Sequence, residues 1–253
     1  MSSFLVSIIT PVYNSKEYLE ASINSVVAQT FKNWELLIVD DGSNDGSSKL
    51  LISIANNDKR IKLIKHNENL GAGIARNNAI KKANGKYIAF LDSDDLWHSE
   101  KLQIQINLME KNKWLFSHTS YGYISSKGKK IKSTFQVSEN PVNYYDLLKK
   151  TEISCLTAVF NQEAIGKYYM SAHRRKQDYA LWLSILNDGI KSYPINIELA
   201  YYRQRPGSLT NNKMSLIIAH VKFLMETQSL NFIWVLYYTL RWMVNGFFKY
   251  YIR

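Results

Sequence analysis

The sequence predicts an α/β protein with a mostly parallel β-sheet flanked by helices. In the first hundred residues, short apolar runs typical of buried strands alternate with segments whose apolar residues recur at helical spacing. Strands joined by helices of this length form right-handed βαβ units, in which the strands run parallel. In addition, polar clusters follow three of the strands, at the ends where ligands of such sheets bind.

The first half of the chain is predicted to hold four strands and four helices. The strands are the apolar runs Leu5–Ile9, Glu35–Val39, Ile61–Ile64 and Tyr87–Leu91. The helices are expected around Leu19–Val27, Leu50–Ile54, Gly71–Ala83 and Ser99–Lys111. This alternation places the four strands in one sheet.

The second half is more mixed. Trp114–Ser126 and Lys130–Phe135 flank the turn Lys127-Gly128-Lys129, which predicts a basic β-hairpin. The remaining elements are predicted as the strand Leu156–Phe160, the helix Gln177–Leu186 and the strand Ile197–Tyr202.

Composition limits the class of protein. The chain has 253 residues, enough for one large domain or two small ones, and its single cysteine, Cys155, excludes an intramolecular disulfide. We interpret Cys155 as a packed thiol in a reducing compartment. The N-terminus lacks the basic and long apolar regions of a secretion signal and is expected to be a strand.

Charge and apolar character are concentrated towards the C-terminus. Residues 101–253 carry 21 basic and 9 acidic side chains, which indicates an anionic partner or a solvated basic surface. In the segment Ser229–Arg253, a narrow polar stripe runs along an otherwise apolar helix at Arg241, Asn245, Lys249 and Arg253. The segment either lies in a membrane interface or packs against the domain or a second subunit. Its uncharged part, Ser229–Leu240, is shorter than the about 20 residues that span a bilayer.

Polar clusters at the strand ends predict a ligand site. They are Pro11-Val12-Tyr13-Asn14, Asp40-Asp41 and Asp92-Ser93-Asp94. Neither a GxGxxG nor a GxxxxGK[ST] phosphate loop of the usual kind is present, so a phosphate would be held in another way. An Asp-x-Asp pair suits Mg²⁺ or Mn²⁺, which leave coordination positions for substrate phosphates. The alternatives are a solvated loop or a cap for the helix at Ser99–Lys111.

Four blocks, in order, carry a resemblance to a known family. They are SIITPVYNSKEYLEASINSVVAQTF, ELLIVDDGSNDGS, NLGAGIARNNAI and GKYIAFLDSDDLW. Together they closely resemble the family 2 glycosyltransferases with the GT-A fold, strongly over about residues 5–110 and more weakly to about 210. The resemblance implies transfer of a sugar from a nucleotide diphosphate sugar, with inversion at the anomeric carbon and with Mn²⁺ or Mg²⁺ as cofactor.

The resemblance also implies roles for single residues. Those matching the nucleotide-binding positions are Pro11, Tyr13, Asp41, Arg76, Asp92 and Ser93. Asp94, with Asp92, matches the metal-binding motif. Asp178 matches the general base, although Gln177 stands where the family usually has a glutamate. Arg205 stands where a histidine is common, and we expect it to bind the diphosphate.

The expected protein is a non-processive enzyme, because the Gln-x-x-Arg-Trp motif of processive members is absent. By resemblance, its donor is a UDP-sugar and its acceptor a lipid-linked or other saccharide of a bacterial surface polysaccharide. We expect a glycosyltransferase domain at 1–210 and a membrane-associating tail at 211–253, on the cytoplasmic face of the membrane. No nucleic-acid partner is expected, and a homo-oligomer is possible.

Two other classes stay open. A phosphatase with an aspartyl nucleophile also has Asp-x-Asp at a strand end, but on its first strand, and usually with Thr or Val where Leu96 stands here. A non-catalytic protein that binds sugar or nucleotide would fit loss of the base or of the metal acids, yet Asp178, Asp92 and Asp94 are all present.

Overall fold

The computed structural model describes residues 4–171, 176–205, 213–228 and 230–251. Within these residues the strands are β1 (Val6–Val12), β2 (Trp34–Asp41), β3 (Ile61–His66), β4 (Tyr87–Phe90), β5 (Leu96–Trp97), β6 (Phe116–Ile124), β7 (Lys130–Phe135), β8 (Val159–Asn161) and β9 (Ser192–Arg203). The helices are α1 (Lys16–Val27), α2 (Ser47–Asn57), α3 (Ala72–Lys82), α4 (Lys101–Asn112), α5 (Tyr144–Lys149), α6 (Gln162–Ile165), α7 (Gln177–Asn187), α8 (Lys213–Thr227) and α9 (Phe232–Tyr251).

All these strands join one sheet. Its order is β3-β2-β1-β4-β8-β6-β9-β5, and β7 pairs with β6 as the second strand of the predicted basic hairpin. The first four strands in this order are parallel, as the βαβ pattern predicts. β8 runs antiparallel to both β4 and β6 and so joins the two halves of the chain. The predicted α/β class with a Rossmann-like sheet is therefore confirmed.

The sheet separates two apolar cores. Along β2, Leu36 and Ile38 lie in one core and Leu37 and Val39 in the other, because successive strand residues point to opposite faces. The first core is covered by α1, α2 and α4, and the second by α3, α5, α7, α8 and α9. Helices therefore cover both faces, and in sheets of this kind ligands bind at the carboxyl edge of the parallel strands.

Two strand predictions differ from the structure. β9 begins at Ser192 rather than Ile197, because its long pairing with β6 outweighs the strand-breaking tendency of Pro194. The predicted strand Leu156–Phe160 begins instead with a 3₁₀ turn at Cys155–Thr157, and the strand proper is β8. The turn places the Leu156 carbonyl where it accepts a hydrogen bond from the Trp97 indole at 2.8 Å.

The C-terminal helices pack on the domain through one face only. Val235 and Tyr238 of α9 are buried in the second core with Leu224 of α8. Asn245, predicted in the polar stripe, donates a hydrogen bond to the Lys149 carbonyl at 2.9 Å. The side chain of Lys249, residue Arg253 and residue Ser229 lie outside the described part of the chain.

The opposite face of these helices is apolar and exposed. Its large side chains are Ile218, Met225, Phe232, Ile233, Trp234, Leu236, Tyr237, Leu240, Met243 and Val244. We call this set the outer apolar face. In the described part of the chain, no helix has both the length and the apolar character needed to cross a membrane.

Candidate active site

Parallel pairing brings the predicted strand-end clusters together. Val12 of β1 lies beside Asp40 of β2, and Asp41 lies beside His66 of β3. On the other side of β1, Ile9 pairs with Phe90, two residues before Asp92. The three clusters therefore share one edge of the sheet, as expected for the ligand edge of a parallel sheet.

Asp41 holds the start of α3. Its buried carboxylate accepts hydrogen bonds from the backbone amides of Leu70 at 3.0 Å and Gly71 at 2.8 Å. The His66 ring also contacts it, with Nδ1 2.7 Å from Oδ1. A carboxylate offers about four lone-pair sites, so one remains for a ligand.

Asp40 has a role that sequence reasoning missed. Its buried side chain accepts hydrogen bonds from the Ser43 amide at 3.1 Å and from the Ser48 hydroxyl, which ties β2 to the turn before α2. Asn14, at the end of β1, bonds this same turn through Ser43 and Asn44. The local signal was an Asp at a strand end before a Gly-Ser turn, because Asp side chains often accept hydrogen bonds from the backbone of the turn that follows.

Tyr13 projects from this joined pair of loops, whereas Pro11 is buried in β1. Tyr13 is 47% exposed, a high value for a large aromatic side chain next to a buried strand. Its ring is therefore available for stacking on a planar ligand.

Arg76 and Asp92 form an ion pair inside the site. The guanidinium Nη2 lies 2.5 Å from the Asp92 carboxylate, and Arg76 is only 8% exposed. Burial opposes the charge of Arg76, but the negative charges of Asp92 and Asp178 raise its pKa, so it stays protonated. Its Nε atom is buried and has no hydrogen-bond partner in the described part of the chain.

Ser93 lies between the two ends of the acidic motif, and its hydroxyl donates to Ser15 at the start of α1 at 2.8 Å. Ser22 donates to the Asp92 carbonyl at 3.2 Å. These contacts fix the motif against α1. None of the three acids caps α4, whose preceding position is occupied by Glu100, so the capping alternative fails.

Two further arginines meet the acidic motif. Arg205 pairs with Asp94 at 2.6 Å, while Arg203 donates from its backbone amide to the buried Asp95 at 2.8 Å. Arg203 also donates from Nε to the Asp94 carbonyl at 2.5 Å. Both guanidinium groups lie over the ring of Tyr18, at 4.9 and 5.5 Å. Residues 206–212, which follow Arg205, lie outside the described residues.

The acids repel one another. Burial raises the pKa of Asp94, and the charge of Asp92 raises it further, while Arg205 opposes both. Burial also raises the pKa of Asp95 well above its ordinary value, and the negative charges of Asp94 and Asp92 raise it further. A cation that bound between Asp92 and Asp94 would relieve this repulsion.

The candidate base, Asp178, lies in the first turn of α7. In this turn, the side chain of Gln177 lies against Gly73 in the first turn of α3. A Cβ added at Gly73 would be only 2.8 Å from that side chain. Burial raises the pKa of Asp178, whereas the positive charge of Arg76 lowers it. The fold thus brings Asp178 within the electrostatic reach of the Arg76–Asp92 pair, about a hundred residues away in sequence.

Cys155 also faces this charged group. Burial raises the pKa of its thiol well above the ordinary value, and the charges of Asp92 and Asp178 act in the same direction. The thiol is therefore neutral and packed, in agreement with its sequence interpretation.

The residues present fit a metal site whose ligands come partly from the substrate, rather than a site completed by protein ligands alone. Among the described residues, no group of three or more His, Cys, Asp or Glu side chains could hold a metal ion. Asp92 and Asp94 supply two repelling carboxylates. Mg²⁺ and Mn²⁺ accept such a pair when substrate phosphates complete the coordination.

Comparison with known proteins identifies the family: the chain belongs to glycosyl transferase family 2, whose profile matches residues 7–169. WfaP of Escherichia coli, a UDP-Glc:alpha-D-GlcNAc-diphosphoundecaprenol beta-1,3-glucosyltransferase by name, is 42% identical over 214 residues, or 85% of this chain and 83% of WfaP. WfgD of the same species has the same named activity and is 40% identical over 215 residues, or 84% of this chain and 82% of WfgD.

Solved structures agree on the fold. TarS of S. aureus in complex with UDP-GlcNAc is similar with a TM-score of 0.72 at 18% identity, covering 96% of this chain and 72% of TarS. The mannosyltransferase PcManGT from Pyrobaculum calidifontis, solved with GDP-Man and Mn²⁺, has a TM-score of 0.62 at 16% identity, covering 88% of this chain and 63% of PcManGT. The protein is thus a glycosyltransferase, and the predicted GT-A fold is confirmed.

Proposed function

We propose that this protein is an inverting, non-processive glycosyltransferase. It moves one sugar from a UDP-sugar to a hydroxyl of a lipid-linked or saccharide acceptor in bacterial surface-polysaccharide synthesis. The observation that carries the proposal is the juxtaposition of Asp178 with the Arg76–Asp92 pair at the carboxyl edge of the sheet. The named activities of WfaP and WfgD and the UDP-GlcNAc complex of TarS support this donor and acceptor class.

The donor nucleotide lies across the strand-end loops. Tyr13 stacks on the base beside Pro11, and the remaining acceptor site of Asp41 takes a base N–H. The backbone at Asp92 and Ser93, fixed against α1, positions the ribose. The ion pair with Arg76 holds the Asp92 side chain in place and so helps to fix this part of the backbone.

The Asp178 carboxylate takes the proton of the acceptor hydroxyl as its oxygen attacks the anomeric carbon. The new carbon–oxygen bond forms on the face opposite the diphosphate. The bond to the diphosphate oxygen breaks, and UDP leaves with the electron pair, so the configuration inverts. Asp178 needs to be ionised before it accepts the proton, and the Arg76 charge favours that form.

Positively charged groups bind the diphosphate. Asp92 and Asp94 would hold Mn²⁺ or Mg²⁺, with Asp94 the more direct ligand, and such an ion would supply positive charge against the departing diphosphate. Arg205, 41% exposed in its side chain, can turn from Asp94 to a phosphate oxygen.

Two surface features support the proposed acceptor class: the basic hairpin turn and the outer apolar face. Arg203 donates from Nη1 to the carbonyls of Ser125 and Ser126, which ties the turn of the basic hairpin to the acidic motif. Lys127 and Lys129 of this turn are exposed and suit an anionic, diphosphate-linked acceptor. The outer apolar face holds the enzyme on the cytoplasmic face of the membrane, as a peripheral protein.

Calorimetric titration with UDP, GDP and CDP, each with and without Mn²⁺, tests the donor site. We expect metal-dependent binding of UDP, lost in Asp94→Ala. Asp178→Asn should keep UDP binding and lose roughly 10²–10⁴-fold in sugar transfer, the usual contribution of a general base. Full turnover by Asp178→Asn would refute the assignment of the base. A folded wild type that binds no nucleotide with metal present would refute the donor site.

A further inference from the structure

The start of α7 is held in an unusual way. Lys176, the residue before the helix, has a left-handed backbone with φ 59° and ψ 31°, which costs a non-glycine residue roughly 1–2 kcal/mol. The position also lacks a side-chain cap. The Lys176 carbonyl accepts the first helical hydrogen bond, from Ala180 at 2.9 Å. Something outside α7 must therefore keep this residue in place.

The side chain of Lys176 supplies that hold. Its amino group, whose pKa burial lowers to about 7, is hydrogen-bonded to Nδ1 of His220 on α8 and lies 4.6 Å from the ring centre of Trp242 on α9. Tyr179 and Phe223 complete an aromatic enclosure at 5.5 and 5.9 Å. Ammonium groups bind favourably to the faces of such rings.

The partner groups are fixed in turn. The His220 ring is fully buried and stacks on Trp242, with ring centres 4.3 Å apart. Burial and the nearby lysine lower the pKa of His220 to about 3, so the ring is neutral and its Nδ1 can accept a hydrogen bond. The Trp242 indole donates to Thr151 at 2.9 Å, which anchors α9 next to α5.

We infer that Lys176, His220 and Trp242 form a clamp that positions Asp178 by locking the first turn of α7 onto the C-terminal helices. Asp178 lies two residues after Lys176, in that first turn. The inference rests on the proposed role of Asp178 as the base. It makes the inner face of α8 and α9 part of the catalytic unit, separately from any membrane contact of the outer apolar face.

Two pairs of variants test the clamp in the full chain. Lys176→Met and Trp242→Ala should lower kcat roughly 10–100-fold, because a displacement of about 1 Å at a catalytic group has effects of this size. The KM for the donor and the calorimetric affinity for UDP should stay close to wild type. Lys176→Arg and Trp242→Phe, which keep the cation and the ring, should restore most of kcat.

A control and a second readout separate positioning from general damage. Trp114→Ala removes a tryptophan that stacks on Tyr193 at 4.7 Å, in the other core, and should leave kcat near wild type. Hydrogen exchange of the α7 amides should accelerate in Lys176→Met and Trp242→Ala but not in Trp114→Ala. Unchanged exchange in α7 would overturn the clamp, whether or not the wild type transfers sugar. Wild-type kcat in Lys176→Met, or equal losses of kcat and UDP affinity, would also overturn it.

Discussion

At the residue scale, the site is an arrangement of paired charges. The three clustered acids Asp92, Asp94 and Asp95 each meet a different arginine, through a side chain or a backbone amide. An unpaired buried charge is destabilising, so these contacts stabilise the acidic cluster. The sequence indicated a cation near these acids, but only a divalent ion was expected.

Arg76→Met should change the pH dependence of the reaction. In the wild type the Arg76 charge lowers the pKa of Asp178 against the effect of burial. Without that charge the pKa of Asp178 rises, so the acid limb of the kcat profile moves to higher pH and activity falls at neutral pH. Arg60→Met, which breaks an ion pair with Asp58 at the surface, is the control. An acid limb that stays in place would contradict the assigned electrostatics.

Glu152 should contribute stability that depends on pH. Burial alone would raise the pKa of Glu152, but hydrogen bonds from His118, Lys150 and the Ser138 amide lower it well below the usual range. The stabilisation is therefore present above the unfolded-state pKa of about 4 and is lost as the pH falls towards the folded-state value.

Urea unfolding of Glu152→Gln measures this effect. The variant should lose about 1–3 kcal/mol in the free energy of unfolding at pH 7, and less as the pH falls below 4. Glu139→Gln, at an exposed position, should be nearly neutral throughout. An equal loss at all pH values would show that packing rather than charge is responsible.

At the element scale, the sequence predicted those strands and helices that depend on residues close together in the chain. The strands β1 to β4 and the helices between them follow from apolar spacing alone. The contacts of Arg203 with Asp95 and of Lys176 with His220 join positions far apart in the chain, so no local pattern indicates them. Likewise, β9 extends to Ser192 because β6 pairs with it, a tertiary effect that overrides the propensity of Pro194. Asn245 was predicted on a polar stripe, and the packing of α9 on α5 places its side chain against the Lys149 carbonyl, a partner that no local pattern indicates.

The loop after β2 should depend on Gly42. This glycine has φ 75°, and a Cβ there would lie 2.7 Å from the backbone of Glu68. Gly166 also has a positive φ, 83°, with no atom within 4 Å of the same position, so it serves as a control for positive φ without a steric clash. Gly166→Ala should cost about 1–3 kcal/mol in urea unfolding, and Gly42→Ala clearly more. Gly42→Ala should also weaken UDP binding, because Gly42 directly follows Asp41, the last residue of β2. Equal costs for both variants would contradict the steric argument.

At the scale of the whole molecule, the sheet unites both halves of the chain. The antiparallel strand β8 links the parallel half to β6 and β9, so strands from both halves of the chain form one sheet. The sequence correctly indicated the α/β frame, whereas the roles of the candidate residues stay predictions. It left open whether the C-terminal helix packs on the domain or faces a membrane, because an apolar stripe alone does not say what covers it. The structure shows packing on one face and leaves the other exposed.

The outer apolar face should bind anionic lipid. Wild-type protein should float with vesicles that contain phosphatidylglycerol, and the double variant Ile233→Glu/Leu240→Glu should lower the partition coefficient by roughly tenfold or more. Both positions are more than 60% exposed, so the variant should fold normally. Transfer to a short soluble acceptor is measured in parallel and should be retained. Equal flotation of both proteins would refute membrane docking through this face.

The two-sided character of α9 bears on how the protein is prepared. An exposed row of large apolar side chains invites aggregation at high concentration, and the obvious remedy is to remove the last helix. That remedy would also remove Val235 and Tyr238 from the core and would leave the underside of α5 uncovered. Polar replacement of outward residues alone keeps the inner half intact. Deleting the helix would improve solubility at the cost of core packing. On the intact helix, the two properties depend on opposite sides of the same twenty residues.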